Sequence, residues 1–161
     1  MKLSNSQGAK YKLKPIESLW EAFEVRKIRN ECRHFMTNNT ANINVLEQLI
    51  WYEQKYKSEN QKETLYCFLF NTNGKNVGFG LIRQKEEKYW ITGGLKKSQR
   101  GKGLGRKLFE ELIKFVPSKF VWLEVLDSNI VANKLYRDLG FTKVDNIQLN
   151  GGKVNVMKLT K

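Results

Sequence analysis

Three glycines stand at every second position in QRGKGLGR, residues 99–106, with basic residues among and around them. Before this segment lies the apolar run YWITGGL, and after it KLFEELIKFV, whose apolar residues recur at helical spacing. A strand that becomes a helix here must turn through almost bare backbone. Missing side chains let main-chain N–H groups approach an anion, and a helix N-terminus adds unpaired donors and about +0.5 of a charge.

Two familiar phosphate loops do not fit. A Walker loop needs four residues between its glycines and then Lys-Ser/Thr, whereas Gly101 and Gly105 enclose three and Arg106 follows. A dinucleotide fingerprint needs a glycine three residues after Gly103, where Arg106 stands. What remains is R-x-x-G-x-G, Arg100 to Gly105, with Arg100, Lys102 and Arg106 supplying full charges. The pattern suits a pyrophosphate; a glycine-rich turn with solvated basic residues is the alternative this segment leaves open.

The flanking chain supplies the fold class. Pro15 separates a short strand, YKLKPI, from a helix on which Leu19, Phe23, Ile28, Cys32 and Phe35 share one face. The polar loop TNNTANIN follows, then a second helix opened by a capping box, Asn44 with Glu47, and continued through Leu46, Leu49, Ile50 and Tyr56. TLYCFLF and NVGFGLIRQ read as strands joined at Asn73-Gly74, and EKYWITGGL as a third. Beyond the glycines a helix runs from Leu104 to Val116, stopped by Pro117. KFVWLEVL reads as a strand apolar on both faces. Ser128 or Asn129 caps a last helix that Gly140 ends, and FTKVDNIQL and KVNVMKL form a closing hairpin. The order β-α-α-β-β-β-α-β-α-β-β defines one α/β domain over residues 1–161, with a mixed, mostly antiparallel central sheet flanked by helices.

Charge narrows the partners. A net +13 favours an acidic partner: nucleic acid, an anionic membrane or a phosphorylated ligand. No run approaches the ~18 apolar residues of a membrane span, and the lysine-containing start lacks the apolar stretch of an export signal. Cys32 and Cys67 read as reduced thiols of a cytoplasmic protein, and with His34 the only histidine no metal site is expected. The lysines are scattered, so a basic nucleic-acid-binding domain stays only as an alternative and no specific nucleic acid is expected.

The glycine segment resembles the acyl-CoA pyrophosphate loop of the GNAT N-acetyltransferase superfamily, Q/R-x-x-G-x-G/A. LEVLDSNIVANKLYRDLGF, residues 123–141, is similar to that family's second pattern, with Glu124, Asn129, Ala132, Leu135, Tyr136, Gly140 and Phe141 in register. The resemblance implies direct acetyl transfer from acetyl-CoA to a primary amine. It implies cofactor contacts from Gly93, Leu95, Arg100, Gly101, Lys102, Gly103, Leu104, Gly105, Arg106, Asn129 and Asn133, the strand segment Gly93 to Leu95 pairing with pantetheine. Lys96-Lys97 departs from the family by replacing a stretch that often holds proline.

Two residues become candidates for the chemistry. An alkylammonium, pKa near ~10, must lose a proton before it attacks a thioester. Glu124, a lone carboxylate inside FVWLEVL, is the candidate base; a water chain and a purely structural carboxylate are the alternatives. Tyr136 is the candidate acid for the departing thiolate; a core tyrosine is its alternative. For the acceptor, residues 25–56 resemble the amino-sugar nucleotide N-acetyltransferases through Arg29-Asn30, Met36 and Gln48 to Glu53. Arg26, Arg29 and Arg33 could then meet phosphates, or simply form a solvated helix face. An amino sugar or sugar nucleotide is the first acceptor class, and a protein N-terminus, as in ribosomal-protein acetyltransferases, the second. The family is compatible with a homodimer, although no segment demands one.

Overall fold

The computed structural model describes residues 10–161; the expectation that the first nine residues carry no export signal lies outside the described residues. Strand β1 (Tyr11–Pro15) leads into helix α1 (Leu19–Glu31). A helical rod follows, built from α2 (Val45–Ile50), a π-helical stretch (Trp51–Tyr56) and α3 (Lys57–Gln61). β2 (Leu65–Thr72), β3 (Lys75–Lys85) and β4 (Lys88–Leu95) form a meander. Then come α4 (Leu104–Phe115), β5 (Phe120–Leu126), α5 (Ile130–Asp138) and the hairpin of β6 (Thr142–Leu149) and β7 (Gly152–Thr160). The seven strands lie in the order β1-β2-β3-β4-β5-β7-β6, antiparallel throughout except between β4 and β5. The expected α/β class and element order hold.

Local chemistry explains the helix starts. Ser18 and Glu21 form a capping box at α1, Asn44 and Glu47 another at α2, and the Asn129 side chain accepts the Ala132 N–H at α5. Of the two residues expected to cap α5, the structure uses Asn129.

Helices cover both faces of the sheet. On one, Leu108, Phe109 and Leu112 of α4 pack with Tyr136 of α5 on Ile82, Ile91, Val121 and Leu123. Each such buried side chain contributes about 1.5–3 kcal/mol. A Cβ on Gly80 would stand 2.7 Å from Leu112, so α4 lies this close only because β3 carries a glycine beneath it. On the other face, Ala22, Val25 and Ile28 of α1 and Tyr52 and Tyr56 of the π stretch pack on Cys67, Leu69 and Phe79.

Three sequence expectations change. The inward positions of the second rod are Gln48, Tyr52 and Tyr56, four apart, whereas Leu46 and Ile50 are exposed. The π stretch widens the turn, so a spacing of four stays on one face. Gln48 donates to the Ala22 carbonyl at 2.7 Å, which satisfies its burial. Phe35 leaves the α1 face: the helix ends at Glu31, and Phe35 sits exposed in a short 3-10 turn. β5 is buried on one face through Val121, Leu123 and Val125; on the other, Phe120, Trp122 and Glu124 emerge and burial returns only at Leu126.

Candidate active site

β4 and β5 touch at a single pair, Trp90 with Trp122, and then separate. The hydrogen bond from Lys96 N–H to the Val77 carbonyl sets the alternation along β4. It turns the N–H and C=O groups of Gly93 and Leu95 away from β3, into the gap. The Leu95 carbonyl is taken up by Cys32 Sγ and Arg100 Nε, each at 3.3 Å. The gap opens into a cavity of about 820 Å³, lined by Gly93, Leu95, Gly101, Gly103, Glu124 and Tyr136 among others.

The glycine loop forms its mouth. Gly101 and Gly103 both adopt φ 75°, the left-handed region that a side chain disfavours. Nothing stands within 4 Å of where either Cβ would be, so their bareness opens space above the backbone. Gly103 is also the N-cap of α4 and supplies no capping side chain, in contrast to Ser18, Asn44 and Asn129. The first N–H groups of α4 thus meet the cavity mouth without a side-chain acceptor, a cradle for an anion.

The charged residues of this loop divide. Arg106 lines the cavity while Nε holds Glu110 at 2.9 Å. Lys102 and Leu104 do not line it, and Lys102 lies 3.5 Å from Gln99 Oε1. Arg100 turns inward: it donates to the Glu31 carbonyl at 2.9 Å and lies over the Phe35 ring, so its charge braces the end of α1 against β4. Cys32 sits beside it at 3.5 Å; burial pushes that thiol up, with Arg100 opposing.

Tyr136 projects from α5 between Phe109 and Phe141, with ring centroids 4.8 and 6.1 Å away. Its hydroxyl has no hydrogen-bond partner among the described residues, yet it is not a sealed orphan, because Tyr136 lines the cavity. Burial pushes the phenol up, so it keeps its proton through neutral pH. Glu124 enters from β5, half-buried, and its Oε2 accepts the Thr37 hydroxyl at 3.2 Å.

Thr37 belongs to a strap, residues 36–44, that crosses from α1 to the β6–β7 turn. Gly151 N–H donates to the Thr37 carbonyl at 3.1 Å and Asn150 Nδ2 to the Asn38 carbonyl at 3.0 Å. At its other end the strap is held by α1. Arg29 donates to the Ala41 and Asn39 carbonyls, Arg26 to the Ile43 carbonyl at 2.9 Å, and Asn30 to the same carbonyl. The structure thus does not bring Arg29 and Asn30 to the cavity as acceptor-binding groups; carbonyls of the strap have taken their donors. Met36 does line the cavity. Asn133 likewise lies outside the cavity, donating to the Leu126 and Asn129 carbonyls and accepting from Asn155.

Thr37, Arg83, Trp90 and Thr92 line the cavity too, and no local pattern announced them. Thr37 meets Glu124 across 87 residues of chain, a proximity that only the folded strap creates.

Residues 24–141 match the Acetyltransferase (GNAT) family, and the chain belongs to it. The [ribosomal protein bS18]-alanine N-acetyltransferase of Escherichia coli K12 is 34% identical over 97 residues, 58% of this chain and 65% of that protein. The chain therefore spans just under two thirds of that relative's length. The spermine/spermidine N(1)-acetyltransferase of Bacillus subtilis 168 is 36% identical over 64 residues, 37% of this chain and 42% of that one. In fold, the chain is similar to the microcin C7 self-immunity acetyltransferase MccE, solved with acetyl-CoA and AMP. The TM-score is 0.74 at 20% identity, covering 96% of this chain and 94% of that one.

Proposed function

We propose that this chain, as a single N-acetyltransferase domain, transfers an acetyl group from acetyl-CoA to a primary amine. The observation that carries the reading is the uncapped start of α4. Bare, left-handed glycines and unpaired N–H groups open there onto the same cavity as Glu124 and the free hydroxyl of Tyr136. The residues fit the group. The α4 cradle would take the pyrophosphate, and the Gly93 and Leu95 edge of β4 the pantetheine amides. Acetyl-CoA supplies a thioester, whose carbonyl carbon is open to a nitrogen nucleophile.

The chain's own groups account for the protons. Glu124 takes a proton from the acceptor ammonium, directly or through water, and Thr37 holds that carboxylate in place. The free amine forms the C–N bond, and an outward N–H of β4 stabilises charge on the carbonyl oxygen. As the C–S bond breaks, Tyr136 donates a hydrogen bond to the departing sulfur. With a phenol pushed up by burial, that hydrogen bond and not an early full proton transfer is what the residue offers a thiolate whose acid lies near ~8.5. After the C–N bond forms the nitrogen gives up a second proton, which ends on sulfur, and Glu124 returns the first to solvent, so free thiol and one proton are released.

Two acceptor classes carry support. Similarity in residues 25–56 favours an amino sugar or sugar nucleotide, and the 34% identity to the Escherichia coli enzyme favours a peptide N-terminus. The test is thermal stabilisation by acetyl-CoA followed by thiol release with amino sugars, sugar nucleotides, polyamines and peptides. Ligand at a hundred times Kd stabilises by about 2.7 kcal/mol. No stabilisation, or none that Gly103→Ala weakens, overturns the reading.

A further inference from the structure

We infer that the acceptor is an amine joined to a nucleotide, its phosphate and base lying on a cationic, aromatic shelf of the sheet beside Glu124. This rests on the acetyl-transfer reading of the gap.

The shelf follows from register. Cβ atoms on Gly80 and Gly93 would point at Leu112 and Leu108 of α4, so Arg83 and Lys85 of β3 and Lys88 and Trp90 of β4 face the opposite side. There Arg83 pairs across with Trp90, Trp90 with Trp122, and Trp122 with Lys158, one row over four strands. Glu124 lies on the same face of β5, two residues on, or roughly 6–7 Å along the strand. Arg83, Lys85, Trp90 and Thr92 line the cavity that Glu124 lines, so row and gap are continuous.

Basic charge outweighs acidic charge on this face. Lys85 stands directly opposite Lys88, a like-charge pair that weakens a sheet. Among the described residues no carboxylate forms an ion pair with Arg83, Lys85, Lys88 or Lys158, although Glu86 and Glu87 occupy the intervening turn. The lysines lean on rings instead. Lys88 lies 4.7 Å and Lys158 5.1 Å from the Trp122 centroid, and Lys158 3.9 Å from that of Phe120. Trp90, 5.7 Å from Trp122, is covered by no cation among the described residues and lines the cavity.

Guanidinium and ammonium groups beside an open indole match a phosphate next to a planar base. A polyamine would bring further positive charge onto the shelf. An acidic peptide would answer the charge but leave Trp90 without a planar partner.

The test is a fluorescence titration of protein saturated with coenzyme A, with UMP, AMP, ribose 5-phosphate, an Asp/Glu tetrapeptide and spermidine as probes. The expected result is saturable quenching by a nucleotide, at least about tenfold tighter than ribose 5-phosphate. Quenching should vanish in Trp90→Phe, and Arg83→Glu with Lys85→Glu should weaken binding about tenfold or more while relieving the exclusion of spermidine. Equal binding of ribose 5-phosphate, tighter binding of the tetrapeptide or spermidine, or indifference to the charge reversal overturns the proposal. Both reversed positions are exposed, so folding is retained. Absence of stabilisation by acetyl-CoA would instead count against acetyl transfer, and the titration without coenzyme A would still read the shelf.

Discussion

The Thr37 hydroxyl donates to Glu124 Oε2 at 3.2 Å, joining the strap over the cavity to the carboxylate on its floor. The strap is fixed to α1 at one end and to the β6–β7 turn at the other, so this contact sets the carboxylate against a rigid roof. Glu124→Gln keeps the shape and removes the proton acceptor. Thiol release with a primary amine should fall by about 10²–10⁴-fold, the range of general base catalysis. Thermal stabilisation by acetyl-CoA should remain; unchanged turnover would remove Glu124 from the base role.

Tyr136→Phe deletes a hydroxyl that has no hydrogen-bond partner among the described residues and keeps the ring between Phe109 and Phe141. Stability should change by less than ~1 kcal/mol, because no buried hydrogen bond is broken. The turnover number should fall by about 10²-fold with little change in KM for acetyl-CoA. Loss of stability without loss of turnover would mark the residue as core only.

Gly103→Ala puts a Cβ at φ 75°, at the N-cap of α4 and over the open cradle. The strained backbone should destabilise the fold by ~1–2 kcal/mol. KM for acetyl-CoA should rise about tenfold or more, equivalent to losing 1.4 kcal/mol of binding. A thermal melt with and without acetyl-CoA separates the two effects.

Arg29→Met removes the donors that hold the Ala41 and Asn39 carbonyls. Hydrogen bonds to a charged group contribute about 1.5–3 kcal/mol, so a destabilisation of that order is expected. Turnover should fall with it as the strap loosens over Glu124. A variant of normal stability and raised acceptor KM would return Arg29 to substrate binding.

Alkali should unfold the protein from a definite edge. Burial raises the thiol of Cys67 and the phenols of Tyr56 and Tyr136 in the fold. The unfolded chain loses these protons first, above about pH 8.5 for a thiol and pH 10 for a phenol. Stability is therefore fully present below those values and declines as pH rises past them, by up to about 1.4 kcal/mol per pH unit for each group. Melts across pH 7 to 11 check this, and Cys67→Ala should delay the onset.

Sequence carried much of the frame because its signals are local. Asn44 with Glu47 and Asn73-Gly74 announced a helix and a hairpin turn where they stand. The glycines before α4 marked the bare turn there for the same reason, since φ and a missing Cβ belong to single residues. Face assignments were less legible. Leu46 and Ile50 are apolar yet exposed, because the π turn rephases the rod after them and presents Tyr52 and Tyr56 inward. Beyond the glycine loop, Glu124 and Tyr136, little of the cavity lining was legible apart from Met36. Arg29, Asn30 and Asn133 look like ligands in a linear reading, but backbone carbonyls and Asn155 reach them first. Thr37, Arg83 and Trp90 join Glu124 only when β4 and β5 part after a single pair and the strap closes over them. Periodicity, caps and positive φ are properties of neighbours in the chain, which is why the sequence by itself determined the elements and the bare turn that opens α4. Which donors are spent and which remain open depends on residues brought together from far apart, and that the tertiary structure alone decided.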